Sequence, residues 1–161
     1  MKLSAPLSKS QFGIYVECVG HQGEAYYNLP YIYVLDPSLD GERLLEAIEK
    51  AFKAHPTLFT RIELNEDGEP LQTIDMDNEP WLLAIEDIQD IEAEKANLVV
   101  PFNIYGDRLF HVRLLRDQNH YYLFLDYHHM PLYHIYLYIN NSSIMNENYI
   151  HLLLYRLVFP Y

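Results

Sequence analysis

Pro101-Phe102-Asn103-Ile104-Tyr105-Gly106-Asp107-Arg108-Leu109-Phe110-His111-Val112-Arg113-Leu114-Leu115, with Leu123-Phe124-Leu125-Asp126-Tyr127-His128-His129-Met130 downstream, decides the fold. The first run reads as a turn leading into an amphipathic strand. After a second turn, Tyr121 to Tyr127 is aromatic or bulky almost throughout, which favours extended backbone. Strand side chains alternate between faces. Phe124, Asp126 and His128 therefore point one way, and Leu123, Leu125, Tyr127 and His129 the other. Only one of the two histidines faces a given cleft. An imidazole at the end of a buried strand is placed to accept a proton near neutral pH, so His129 and His128 are the catalytic candidates.

Upstream, Ser8-Lys9-Ser10-Gln11 has the spacing of a capping box. It opens a helix from about Lys9 to Val19, with Phe12, Tyr15, Val16 and Val19 on one face. Gly20-His21-Gln22-Gly23 ends it. Tyr26 to Leu35 reads as a strand, and Pro30, lacking a ladder donor, predicts an edge position or a kink. Leu44, Ala47, Ile48, Ala51 and Phe52 form the apolar stripe of a helix over 40–54, stopped by His55-Pro56. Its charges, Glu42, Arg43, Glu46, Glu49, Lys50 and Lys53, read as a solvated face. Thr57 to Leu64 and Glu69 to Thr73 read as a hairpin, with Gly68 at the turn position that tolerates positive φ. Asp75, Asp77 and Glu79 read as an acidic loop, too poor in ligands for a calcium site. Trp81 to Ile85 reads as a short strand, and a helix follows from about Ile88 to Leu98. The fold class is α+β: a mixed or mostly antiparallel sheet covered by helices 9–19, 40–54 and 88–98. The expected core is Phe12, Val16, Leu44, Ile48, Phe52, Leu58, Phe110, Val112, Leu114, Leu123 and Leu125.

At 161 residues, half of them hydrophobic and 14% aromatic, the chain can bury a core. A net charge of −12 opposes a nucleic-acid backbone as partner. The single cysteine, Cys18, makes no internal disulfide, which suits a reducing cytoplasm, and it reads as a small buried hydrophobe rather than a nucleophile. No run approaches the ~20 apolar residues that span a bilayer, and no signal peptide is visible. His111, His120, His128, His129 and His134 are the residues a metal would use. Adjacent histidines on one strand diverge, so no metal site is expected. No nucleophile elbow and no phosphate-binding glycine loop appear.

The stretch that decides the fold resembles the N-terminal half of a nonribosomal peptide synthetase condensation domain, a member of the chloramphenicol-acetyltransferase-like superfamily. Two further segments agree in order and spacing. Leu7 to Tyr15 is similar to the family's opening motif. Ala54-His55-Pro56-Thr57-Leu58-Phe59-Thr60-Arg61-Ile62 is similar to its Arg-His-Glu-x-Leu-Arg-Thr-x-Phe motif. The third motif, His-His-x-x-x-Asp-Gly, starts at His128 and is degenerate, with Tyr133 and His134 where Asp and Gly belong. In the family an Arg of the second motif pairs with that Asp. Here the positions hold Phe59 and Tyr133.

The resemblance implies half of a chloramphenicol-acetyltransferase-like fold over residues 1–130. It implies amide formation between carrier-bound acyl and aminoacyl thioesters, with His129 as the catalytic histidine and His128 as its orienting neighbour. It implies no directly bound cofactor. Phosphopantetheine arrives on partner carrier proteins. The family's tunnel lies between this half and a second one, so the half by itself is expected to be inactive.

After Met130 the pattern breaks. Residues 131–161 are crowded with Tyr, Ile, Leu and Asn, and hold one acid, Glu147, and one base, Arg156. A frameshift into an A/T-rich reading frame accounts for that composition, and a native tail with a helix over Tyr149–Val158 is the alternative. Two other functions stay open. One is a stand-alone binding module that keeps the half-fold and recruits a partner through its exposed inter-lobe face, whereas a homo-oligomer formed through that face points to a truncated remnant. The other is a trimeric acyltransferase of chloramphenicol-acetyltransferase type.

Overall fold

The computed structural model describes residues 2–75 and 83–130. Strands are β1 (Lys2–Pro6), β2 (Asn28–Leu35), β3 (Thr60–Leu64), β4 (Pro70–Asp75), β5 (Ile85–Asp87), β6 (Phe110–Arg116) and β7 (Tyr121–His128). Helices are α1 (Lys9–Gly20), α2 (Gly41–Lys53) and α3 (Ile91–Leu98). The strands form two sheets rather than one. A three-stranded sheet has the order β1-β4-β3, and a four-stranded sheet has the order β2-β7-β6-β5. All pairs are antiparallel except β5 on β6, so the larger sheet is mixed.

The expected hairpins form. Gly68 turns β3 into β4 at φ +79°, and Asn65 closes the turn by accepting the amides of Asp67 and Glu69 on its side-chain oxygen. Pro30 lies in β2, an edge strand, where a missing donor is tolerated. α2 starts from Asp40, whose carboxylate accepts the amides of Glu42 and Arg43. Gly41 leaves room there for the ends of two side chains, which a larger residue would have to displace. A Cβ at that position would lie 2.6 Å from Ile85 Cδ1 and 2.8 Å from the Tyr121 hydroxyl.

Several boundaries differ from expectation. Pro56–Phe59 is a 3-10 turn before β3, because proline pre-sets the first helical position. Of the strand expected over Trp81–Ile85, Ile85 opens a described strand, Ile85–Asp87, held parallel to β6, with Glu86 and Asp87 ion-paired to Arg113 and Arg116. Residues 76–82, with Asp77, Glu79 and Trp81, lie outside the described residues. So does the segment 131–161, including Tyr133 and His134. The third helix begins at Ile91, because Asp90 caps it by accepting from Glu92 N–H. β1 differs too: Lys2–Pro6 is too short to show a period, and β4 supplies its ladder.

The core divides into three clusters. α2 contributes Leu44, Ile48, Ala51 and Phe52 to the first, against Phe110, Leu114, Tyr121, Leu123, Leu125 and Tyr127. Leu98 of α3 joins Leu115, Tyr122 and Phe124 on the opposite face of the sheet. Ile62, Phe102, Ile104, Leu109 and Met130 join β3 to the larger sheet, with Leu7, Ile14, Tyr15 and Cys18 packed on them. Leu58 and Val112 are part-buried against the first cluster.

Phe12 and Val16 correct the expected core, for they are 48% and 52% exposed. α1 carries two possible stripes, and the buried one contains a glutamine. Gln11 is only 1% exposed. Its carbonyl caps Ser8 N–H at 2.9 Å, and its amide donates to Gln72 at 3.2 Å and to Met130 O at 3.5 Å. A satisfied buried amide turns the helix so that Ile14, Tyr15 and Cys18 face in and Phe12, Val16 and Val19 face out.

The two assignments separate in unfolding experiments. Leu125→Ala, at a fully buried position, should lower stability by about 3 kcal/mol in urea titrations, whereas Phe12→Ser should change it by no more than about 0.5 kcal/mol.

Candidate functional site

β7 ends beneath a cleft of about 350 Å³. One wall is the end of α1 and the following loop, including Glu17, Cys18, His21 and Tyr27. The other is the turn Pro101–Tyr105. That turn closes on itself. Asp107 accepts Asn103 N–H at 3.1 Å, and the Asn103 side chain accepts Tyr105 N–H at 3.3 Å. The hydroxyls of Tyr15 and Tyr105 meet at 2.8 Å and join the two walls.

His128 lines this cleft and is 3% exposed. Its N–H donates to Leu109 O at 2.9 Å, the last bond of the β6–β7 ladder. Met130 N–H donates to its Nδ1 at 3.2 Å. That contact leaves the ring proton on Nε2, which lies 3.4 Å from Cys18 Sγ. Phe102 stands edge-on to the ring at 5.7 Å. Burial, and then neighbouring His129, push the His128 imidazole down to about 4. Burial and then Glu17 push the Cys18 thiol up to about 11. The pair is therefore neutral imidazole and neutral thiol, without the thiolate that nucleophilic catalysis needs.

At His129 the strand gives way to helical backbone, so the alternation of faces stops one residue before expected. His129 N–H donates to Tyr27 O at 2.8 Å; the residue is half-buried, its Nδ1 is buried, and it is not among the residues that line the cleft. The Tyr27 ring stands by both histidines, 5.9 Å from the ring of His128 and 6.4 Å from that of His129. Tyr27 itself is held by Glu17, which accepts its hydroxyl at 2.6 Å. Leu123, Leu125 and Tyr127 face the α2 side and Phe124 the α3 side, as the alternation predicts.

Among the described residues the other histidines do not assemble with this pair as ligands. His120 sits in the turn at the far end of β7. His111 stacks on Phe102 at 4.2 Å, with burial holding its imidazole below the usual value. Among the described residues no three His, Cys, Asp or Glu side chains come together as a metal site. A second hollow, of about 470 Å³, includes Arg61, Arg108 and Arg113. These are engaged, Arg61 on Gly106 O, Arg108 over the Phe110 ring and Arg113 on Glu86 and Glu94. Phe59, where the resembled motif has arginine, is buried edge-on against Phe110 at 5.4 Å. No described helix is long and apolar enough to cross a membrane.

Sequence reading alone misses Cys18, Tyr27 and Phe102 as members of this site. The stripe Leu7, Gln11, Ile14, Cys18 could have found the first. Nothing local marks the other two, which reach the site through the β2–β7 pairing and the Pro101 turn.

Comparison with known proteins agrees with this architecture. The family model described as Condensation domain matches residues 1–131. A plipastatin synthase of Bacillus subtilis (strain 168) is 30% identical over 129 residues, which are 78% of this chain and 4% of that protein. Tyrocidine synthase 3 of Brevibacillus parabrevis is 32% identical over 130 residues, 78% of this chain and 2% of that protein. The chain thus spans a small fraction of the curated relatives it matches. Among solved structures, the starter condensation domain of the rhizomide synthetase RzmA superposes with a TM-score of 0.72 at 18% identity, covering 97% of this chain and 38% of that one. The first condensation domain of the CDA synthetase gives 0.63 at 18% identity, covering 79% and 36%.

His128 makes stability depend on pH in one direction. Between its ordinary value of 6.5 and about 4 the unfolded chain takes up a proton that the folded ring refuses. Stability is complete above that window and falls as pH drops through it, by an amount on the order of 3 kcal/mol. Urea midpoints of His128→Gln should change less over the same window, with a remaining slope from His111.

Proposed function

This chain belongs to the condensation-domain family of nonribosomal peptide synthetases, and we propose that residues 1–130 are the histidine-bearing N-terminal lobe of such a domain. Its reaction is amide formation, in which the amine of an aminoacyl thioester attacks an acyl thioester and the thiol leaves. Both partners are substrates carried on phosphopantetheine arms of carrier proteins, and the lobe itself holds no cofactor. Residues 131–161 are a separate, non-homologous segment on this reading, and a cytoplasmic setting suits the partners.

The observation that carries the proposal is the division of labour between the histidines. His128 is committed on both nitrogens, Nδ1 to Met130 N–H and Nε2 to Cys18. His129 stands half-buried next to it, beyond the strand. The role of addressing the incoming amine therefore falls to His129, as accepting base or as positioning group, with His128 as the rigid neighbour that orients it. The exposed stripe of Phe12, Val16 and Val19 on α1 is an apolar face of the kind a second lobe would cover, and it favours this reading over a self-sufficient binding module.

One lobe supplies one wall of a two-walled tunnel, so most of the positioning that accelerates a bimolecular transfer is missing from it. Offered acyl- and aminoacyl-loaded carrier proteins, the purified chain should form no more dipeptidyl thioester, read by mass, than its His129→Ala variant. It should still perturb the NMR signals of a 15N-labelled aminoacyl carrier. A clear difference in turnover between the two chains overturns the expected inactivity, and an unperturbed carrier overturns the family role.

A further inference from the structure

Asp126 is the most buried charged group described, with 0% exposure, in a strand whose residues from Tyr121 to Leu125, with Tyr127, back onto apolar clusters. Burying a carboxylate is costly, and an apolar residue of similar volume often gives equal or greater stability at such a place. What the aspartate offers instead is a directed contact. Asn28 Nδ2 donates to Asp126 Oδ2 at 2.6 Å and also to Val100 O at 2.9 Å. Both donors of one amide are thereby used, and a single side chain joins β2, β7 and the segment leading into the Pro101 turn.

The place of this junction matters. Asn28 is the register partner of His128, and Pro30 of Asp126. The residue before Asn28, Tyr27, accepts the His129 N–H and puts its ring beside both histidines. A one-residue slip of β2 would remove every one of these contacts, and an edge strand with a proline in it resists slipping poorly by its backbone alone. On its other side Asp126 is the register partner of His111. Asp126 Oδ1 and His111 Nδ1 are buried without a hydrogen-bond partner among the described residues. His111 in turn stacks on Phe102, which stands edge-on to His128. The carboxylate thus sits at the centre of a polar seam that crosses three strands beneath the cleft.

We propose that Asp126 is a positioning residue for the histidine pair, acting through Asn28 to hold β2 in register at the strand end from which His129 emerges. On the condensation-domain reading it sets the geometry of the amine-addressing residue without touching substrate, and its test needs no turnover.

The test is amide hydrogen exchange and histidine-ring NMR on the full chain, for Asp126→Leu and Asn28→Ala. Both variants should lose about tenfold or more of the protection of the His129 amide and shift the His129 ring signals. The amides of Tyr122 and Leu123, toward the other end of the same strand, should keep theirs. Asn28→Ala leaves the carboxylate in place and guards against a failure of Asp126→Leu to fold. Unchanged His129 protection and ring signals, or a uniform loss over the whole sheet in both variants, would overturn the proposal. Failure of the loaded-carrier experiment would leave this result standing, because neither readout depends on chemistry.

Discussion

Burial of β7 on both faces is the constraint from which the rest of the structure follows. Every residue from Tyr121 to His128 is buried. Such a strand needs cover on each side, and the chain provides α2 against Leu123, Leu125 and Tyr127 and α3 against Tyr122 and Phe124. Removal of these side chains from water contributes about 1.5–3 kcal/mol each. It also pins the alternation, since a shift by one residue would exchange the two faces. A strand held this firmly can end in groups that gain nothing from burial. It does so at His128 and His129, where the backbone changes from extended to helical.

The two histidines are adjacent in sequence and unequal in circumstance. His128 is still inside the ladder and is enclosed by Met130 N–H, Cys18 and Phe102, so it behaves as part of the scaffold. His129 is one residue further, where its backbone is tied to Tyr27 and the residue as a whole is less buried, although its Nδ1 is buried. The end of the ladder therefore separates a fully buried imidazole that lines the cleft from a less buried residue just beyond it. Alternation of faces alone leads to a similar division, but for a different reason.

α1 shows how a polar contact overrides an apolar pattern. Phe12, Val16 and Val19 make the more hydrophobic stripe, and yet they face outward. Gln11 wins because its amide can satisfy Ser8, Gln72 and the Met130 carbonyl at once, and that network also docks the helix next to the cleft. Asp126 follows the same logic in the sheet. Both are buried polar groups placed where elements distant in sequence must meet in one arrangement.

Periodicity and turn chemistry are enough to place α2, the β3–β4 hairpin, the paired strands β6 and β7 and their alternate faces, because each rests on contacts between neighbours in sequence. Gly68 at its turn and Pro30 on an edge strand are legible for the same reason. The split into two sheets, the parallel pairing of β5, the strand at Lys2–Pro6 and the rotation of α1 depend on partners between about 30 and 120 residues away, as Ile85 with Leu114 and Gln11 with Met130 show. The pair His128-His129 could be read as the candidate site from its own letters. Cys18, Tyr27, Asn28 and Phe102 join that site only because β2, α1 and the Pro101 turn converge on the end of one buried strand, and no local pattern encodes a convergence of that kind.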